Sequence, residues 1–486
     1  MSRLLAIGST MLGLLLLAGV GWLGWSWYDS RLPGSYSAMD YATPDYGGGP
    51  PVSDGLARTV DQLHGPASLA PDFQKTITAR AADVRLSSGK IVHALTFDSR
   101  VPGPTLEVRQ GDLVEVTLVN ADIPEGVSIH WHGVDVPNRE DGVAGVTQNA
   151  VRPGERYTYR FRADQVGTFW YHSHENAADE VRRGLYGALV IHPQDGPPGT
   201  LDLTAVVHSF PSAVVIGSSD GTERRTVQQG TLVRLRLVNS DSSAQSFSLT
   251  GTPFWVAAID GTDLYGPTPV LDRSVQLGAG ARYDLAFTMP ASPVKLEVVG
   301  AKAAILFDPP GTRGEPSAEP GPTFDPAGYG TSAPRPFTAS SPFDRSFKVE
   351  IGKKLGFLDG KPGSHWSVNG KLYPHTPMYM VNVGDLVKMT IKNDSGATHP
   401  MHLHGHHFLV LSRNGKPLTG SPWWVDTLNV RQHETYEVGF RASNPGMWMF
   451  HCHNLPHARD GLTMHVMYGG VTTPYRVGDA VHNHPE

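Results

Sequence analysis

Histidines in this chain of 486 residues recur two positions apart. Six His-x-His patterns occur among the 22 histidines, where chance placement would give roughly one. They fall at His130-Trp-His132, His172-Ser-His174, His402-Leu-His404-Gly-His406, His451-Cys-His453 and His482-Asn-His484. In an extended strand, side chains at i and i+2 project to the same face, so each pattern sets two imidazoles side by side. The pairs at 130/132, 172/174, 402/404 and 451/453 supply eight rings, too many for one mononuclear centre and suited to a cluster of about three metals. The only cysteine lies inside one pair. The same alternation sends His451 and His453 one way and Cys452 the other, so Cys452 serves a different metal on the opposite face. A thiolate with two imidazoles is the trigonal donor set of blue copper, usually completed by a weak axial ligand. His399 and His457 are the spare imidazoles nearby.

The elements that position these residues read as strands. Gly (54) and Pro (39) are abundant, and long helical patterns are hard to find. One strand is repeated three times, as Gly111-Asp-Leu-Val-Glu-Val-Thr-Leu-Val-Asn120, Gly230-Thr-Leu-Val-Arg-Leu-Arg-Leu-Val-Asn239 and Gly384-Asp-Leu-Val-Lys-Met-Thr-Ile-Lys-Asn393. Each alternates apolar and polar residues, the mark of a half-buried strand. A second strand follows each copy in the same order, around Tyr157, Tyr283 and Tyr436. The chain is therefore all-β, with three Greek-key β-sandwich domains in tandem. Their expected bounds are 71–196, 197–307 and 343–476, with a linker at 308–342 and a polar tail at 477–486. The first and third copies carry the histidine pairs. The middle copy has Ser-Phe-Ser-Leu (246–249) in the corresponding place and reads as a blank spacer, so the loops of copies one and three must face each other to share a site.

Residues 4–28 carry almost no charge and are long enough to span a bilayer. With Arg3 and the terminal amine on one side, the positive-inside rule leaves the N-terminus in the cytoplasm and the rest of the chain outside it. Residues 1–30 thus read as a single transmembrane helix, an uncleaved membrane anchor favoured over a cleaved signal peptide, and 31–70, rich in Gly, Pro, Ser and Tyr, as a tether. The net charge is −6 with no basic stripe, so no nucleic-acid partner is expected.

At His130-Trp-His-Gly133, His172-Ser-His174, His399-Pro-Met-His-Leu-His-Gly-His406 and His451-Cys-His-Asn-Leu-Pro-His457 the sequence resembles the multicopper oxidase family, over residues from about 75 to 475. The resemblance implies cupredoxin-like domains and four copper ions, one of type 1, one of type 2 and two of type 3. It implies that His399, Cys452 and His457 bind the type 1 copper, and His130 and His402 the type 2 copper. His132, His172, His174, His404, His451 and His453 would bind the type 3 pair. The family's axial position falls at Leu462, which has no ligand atom, with Met464 as the alternative two residues on. Asp141 stands where the family often places an acid near the cluster, and is expected to help deliver protons to oxygen. The implied activity couples four one-electron oxidations of a small reducing substrate to reduction of dioxygen to water. His457 marks where the reductant docks.

A laccase-like oxidation of phenols or aromatic amines is favoured; Fe(II) and Cu(I) are the alternative substrates. A ferroxidase would need carboxylates beside the type 1 histidine, for which Asp426 or Asp460 are the candidates. A copper nitrite reductase lacks a type 3 pair, and the full set of histidine pairs argues against it. His64, His93, His192, His208, His365, His375 and His433 read as surface or loop residues. His406 and His407 read as supports of the metal shell or its rim.

Overall fold

The structure, a computed structural model, describes residues 2–53, 57–195, 199–316 and 321–486, with side chains of the first helix from residue 11 onward. The expected boundary at 196/197, residues 317–320 of the 308–342 segment and the Arg3 side chain lie outside what is described.

The repeated sequence forms a repeated ladder. In the first copy, Leu113–Asn120 lies between Phe73–Arg85, to which it is parallel, and Arg156–Arg162, to which it is antiparallel. Leu232–Asn239 sits in the same way between Leu201–Phe210 and Arg282–Thr288. Leu386–Asn393 sits between Arg345–Leu358 and Thr435–Arg441. The asparagine closing each strand does the same work three times. Its side-chain amide donates to the carbonyls of Ile123 and Val151 from Asn120, of Ser243 and Leu277 from Asn239, and of Ala397 and Val430 from Asn393. Each fixes the turn that leaves the ladder for the next strand.

That next strand belongs to a second sheet, and the second sheets carry the histidines. In the first copy His130–His132 pairs antiparallel with Gly167–His172, setting His130 opposite His172. In the third, His399–Leu403 lies between Met447–Cys452 and Thr427–Val430, setting His402 opposite His451. In the middle copy Gln245–Thr250 occupies the same place. The apolar faces close into packed cores: Ile77, Val116, Trp131, Tyr159 and Tyr171 belong to one, while the middle and third copies share another.

The fold is mostly β, preceded by the helix Ser2–Asp29, whose Met11–Asp29 portion is apolar and long enough to cross a membrane. The segment 31–70 is not a free tether. Thr43–Asp45 adds a parallel strand to Pro377–Val381, and Arg58–Thr59 pairs with Val471–Thr472. An open sheet edge offers unpaired backbone groups, and this segment satisfies them. His208, expected at the surface, is buried on the strand Leu201–Phe210, stacked on Tyr186 with its Nε2 3.2 Å from the Arg182 carbonyl.

Candidate metal centre

Eight histidines converge where the first and third copies meet, and all are buried. His130, His132 and His402 bring ligand atoms within 4.8 Å of one another, as do His132, His172 and His453, and His174, His404 and His451. The Nε2 atoms of His130 and His402 face each other at 3.4 Å, and those of His404 and His451 at 3.0 Å. The opposite ring nitrogens are held. Nδ1 of His130 donates to the Asp141 carbonyl (2.9 Å), that of His172 to the Ser173 carbonyl (2.9 Å), that of His174 to the Pro485 carbonyl (2.6 Å) and that of His404 to the Asp141 carboxylate (3.0 Å). His132 is turned the other way, its Nε2 2.9 Å from the Thr427 hydroxyl, which leaves Nδ1 facing inward. Burial, then the crowd of neighbouring rings, drives His172, His174, His404, His451 and His453 well below the usual imidazole range. Neutral imidazole is the form that binds metal.

Cys452 turns away from this cluster. Its Sγ lies 3.4 Å from His399 Nδ1 and 3.8 Å from His457 Nδ1, and the two Nδ1 atoms are 3.3 Å apart. His457 comes from the short helix Leu455–Arg459, directly after the strand Met447–Cys452, so a turn of six residues carries thiol and imidazole to one point. Burial pushes the Cys452 thiol up, so a bare thiolate is disfavoured there unless a cation meets it. His399 is lowered to about 3 by burial, His457 and Lys353. Burial also lowers His457, to about 4, against the pull of Asp460. Leu462, fully buried, accepts a hydrogen bond at its carbonyl from the Cys452 N–H (3.1 Å), and Met464 stands opposite Phe450. The cross-strand neighbour of the thiol is thus an aliphatic side chain.

Family models described as multicopper oxidase match residues 78–196 and 349–470, the two segments that hold these histidines. The chain belongs to the multicopper oxidase family. Multicopper oxidase MmcO of Mycobacterium tuberculosis is 25% identical, across 86% of this chain and 92% of that protein. Laccase-1 of Botryotinia fuckeliana is 27% identical, across 76% and 77%. The crystal structure of a multi-copper oxidase from Pseudomonas thermotolerans superposes with a TM-score of 0.67 at 27% identity, covering 82% of this chain and all of that one. The architecture is that of cupredoxin-domain oxidases, and this multicopper oxidase binds four coppers. The side chains present fit them. His132 Nδ1, His172 Nε2, His174 Nε2 and both ring nitrogens of His453 are buried without any partner, a condition proteins rarely leave unmet.

The residues around this oxidase's cluster include some that the sequence marks, Asp141, His406 and His407, and others whose place only the structure shows. Asp141 was read from its spacing; it touches both His130, at 3.2 Å from Nδ1, and His404, and burial raises its carboxyl. Asp426 sits on the cluster side of the third copy, fully buried, 3.1 Å from His132 and 3.3 Å from His402. It is therefore nowhere near the His457 rim, which removes it as a ferroxidase carboxylate. Burial would raise Asp426, but the Arg282 guanidinium and hydrogen bonds from His132, His402 and His407 hold it well below the usual carboxylate range. Burial would lower His407, but Asp135 and Asp426 push it up to about 10. His406 donates from Nδ1 to the His404 carbonyl (3.1 Å) and bonds the Tyr468 hydroxyl (2.7 Å). The middle copy is no blank spacer: its turn at Gly278–Arg282 packs against His132 and His453. At the other centre, the Trp366 ring lies 4.8 Å from that of His399 and 4.4 Å from that of His457, with Lys353 Nζ 4.2 Å above it. A tryptophan on a hairpin strand carries no metal signature in sequence, and nothing marked it.

Proposed function

We propose that this oxidase is laccase-like, taking single electrons from phenols or aromatic amines and reducing dioxygen to water. His399, Cys452 and His457 would hold the type 1 copper, with the aliphatic side chain of Leu462, which offers no ligand atom, beside the thiol. His130 and His402 would hold the type 2 copper, and His132, His172, His174, His404, His451 and His453 the type 3 pair. Bound copper supplies the one-electron and oxygen chemistry; the chain supplies geometry and protons. Cys452 joins the two regions by bonded atoms, because its neighbours His451 and His453 are the cluster's own rings. Asp141 holds the His130 and His404 rings by their Nδ1 atoms and can hold a proton at the cluster's edge, which supports a role in proton delivery. The helix Ser2–Asp29 supports an anchored protein with its oxidase portion outside the cytoplasm, periplasmic or extracellular; a cleaved secreted form is the alternative.

The rim of His457 carries the choice of substrate. His457 is half-buried, and what surrounds its open edge is the aromatic Trp366, the cation Lys353 and the ion pair of Arg459 with Asp460. That surface suits a flat organic reductant better than a metal cation, which needs hard oxygen ligands or soft sulfur. Asp460 favours Fe(II), the second reading. Oxygen uptake measured in parallel with a phenol, Fe(II) and Cu(I) decides between them: a preference for either metal by orders of magnitude ends the laccase reading.

A further inference from the structure

We propose that Arg282, from the copy with no metal ligands, is a positioning residue for the two-histidine copper site. This deepens the reading in which His130 and His402 hold that copper, and rests on it. Arg282 is fully buried and touches all three copies. Its Nε donates to the Thr168 carbonyl of the first (3.1 Å). Its own N–H donates to Asp260 of the middle copy (2.9 Å). Its two terminal nitrogens grip the Asp426 carboxylate of the third at 2.8 and 2.6 Å. A two-point grip of this kind fixes a carboxylate's rotation as well as its place. Asp426 Oδ1 then accepts from the Thr427 hydroxyl (2.7 Å), which stands 3.2 Å from His402 Nδ1 and 2.9 Å from His132 Nε2. The Asp426 carbonyl accepts from His402 Nδ1 (3.0 Å). The chain of contacts thus ends on the ring whose free Nε2 faces His130. Two glycines make room for it. A Cβ on Gly133 would lie 2.2 Å from an Arg282 nitrogen and 2.7 Å from Asp426 Oδ2, and one on Gly280 would lie 2.9 Å from both His132 and His453. The glycine that ends His-Trp-His-Gly is accordingly the seat of this guanidinium, and Asp260 of the middle copy supports the same link by accepting from the Thr427 N–H (3.2 Å).

Holding the second nitrogen of a metal-bound imidazole commonly changes affinity by about ten- to hundredfold when lost. Arg282→Lys keeps the charge and loses the two-point grip; Thr427→Val removes the hydroxyl link and keeps the shape of the side chain. Copper would be titrated into apo protein and followed by metal analysis, by the type 2 paramagnetic resonance signal and by the blue absorbance. Both variants should keep the blue absorbance while half-filling of the type 2 site needs about ten- to hundredfold more copper in Arg282→Lys and less of an increase in Thr427→Val. If Arg282→Lys fails to fold, Thr427→Val alone decides. Unchanged type 2 affinity in a blue variant overturns the proposal. A wild-type protein with no type 2 signal overturns instead the ligand reading beneath it.

Discussion

The two metal regions are assembled differently. The Cys452 pocket draws its three candidate ligands from one copy, two of them within six residues of each other, and it lies near the surface. The eight-histidine cluster draws four rings from each of the first and third copies and is braced by the middle one. The first depends on one β-sandwich being folded; the second depends on three being docked. Damage inside the third copy should therefore remove the pocket at its source, whereas damage at a junction should empty the cluster and leave the pocket coloured.

Cys452→Ser should break the comparison most severely. The blue absorbance and turnover should fall to background while the cluster histidines still load copper, giving about three coppers per chain instead of four, measured by metal analysis. Retained turnover would contradict the bonded route from Cys452 to His451 and His453. Next in size is Asp141→Asn, which acts on the cluster alone. Anaerobic reduction of the blue copper by a phenol should keep its rate, and reoxidation by oxygen should slow about a hundredfold, the lower end of what one positioned acid contributes. Equal slowing of both halves would show that Asp141 holds the docked copies together rather than serving oxygen.

What could be read in the sequence divides along the same line. Ladders, turns and ligand pairs are local: alternation and an i, i+2 spacing were enough for the three repeated strands and for the side from which each imidazole projects. The bracing is not local. Arg282 occupies the position of Arg156 in the first copy and Thr435 in the third; Arg156 is exposed, as alternation expects of a charged residue beside a turn, while Arg282 is fully buried. Only docking of the copies tells them apart, and nothing in a single strand encodes docking. Asp426 misled for the same reason, since an acid near the third copy's ligands can lie on either metal's side. The segment 31–70 has the composition of a linker, and its strands Thr43–Asp45 and Arg58–Thr59 form only by borrowing a sheet edge.

Glu140 sharpens the comparison at the first copy's margin. It is buried beside Asp141, its Oε2 accepts the Arg160 N–H (2.9 Å), and burial raises it from 4.5 to about 7. A carboxyl whose folded pKa is raised binds its proton more tightly when folded, so the folded state is favoured at low pH and loses that advantage as pH rises from 4.5 to about 7. Relative to Glu140→Gln, the wild type should lose about 3 kcal/mol across that window, read from urea midpoints at each pH. A difference independent of pH would mean that Glu140 ionises freely.

The smallest effect belongs to the rim of the pocket. Lys353 is exposed and covers Trp366, which covers His457. Lys353→Glu reverses the charge that an approaching reductant meets without touching a candidate ligand. Exposed charges are worth at most about 1 kcal/mol, so KM for an anionic phenol should rise by up to about fivefold and that for a cationic aromatic amine should fall by a similar factor, both converging at high salt. The blue absorbance and copper content should not change. Identical KM shifts for both reductants would point to lost packing of Trp366 rather than to charge, and would move the docking surface away from this edge of His457.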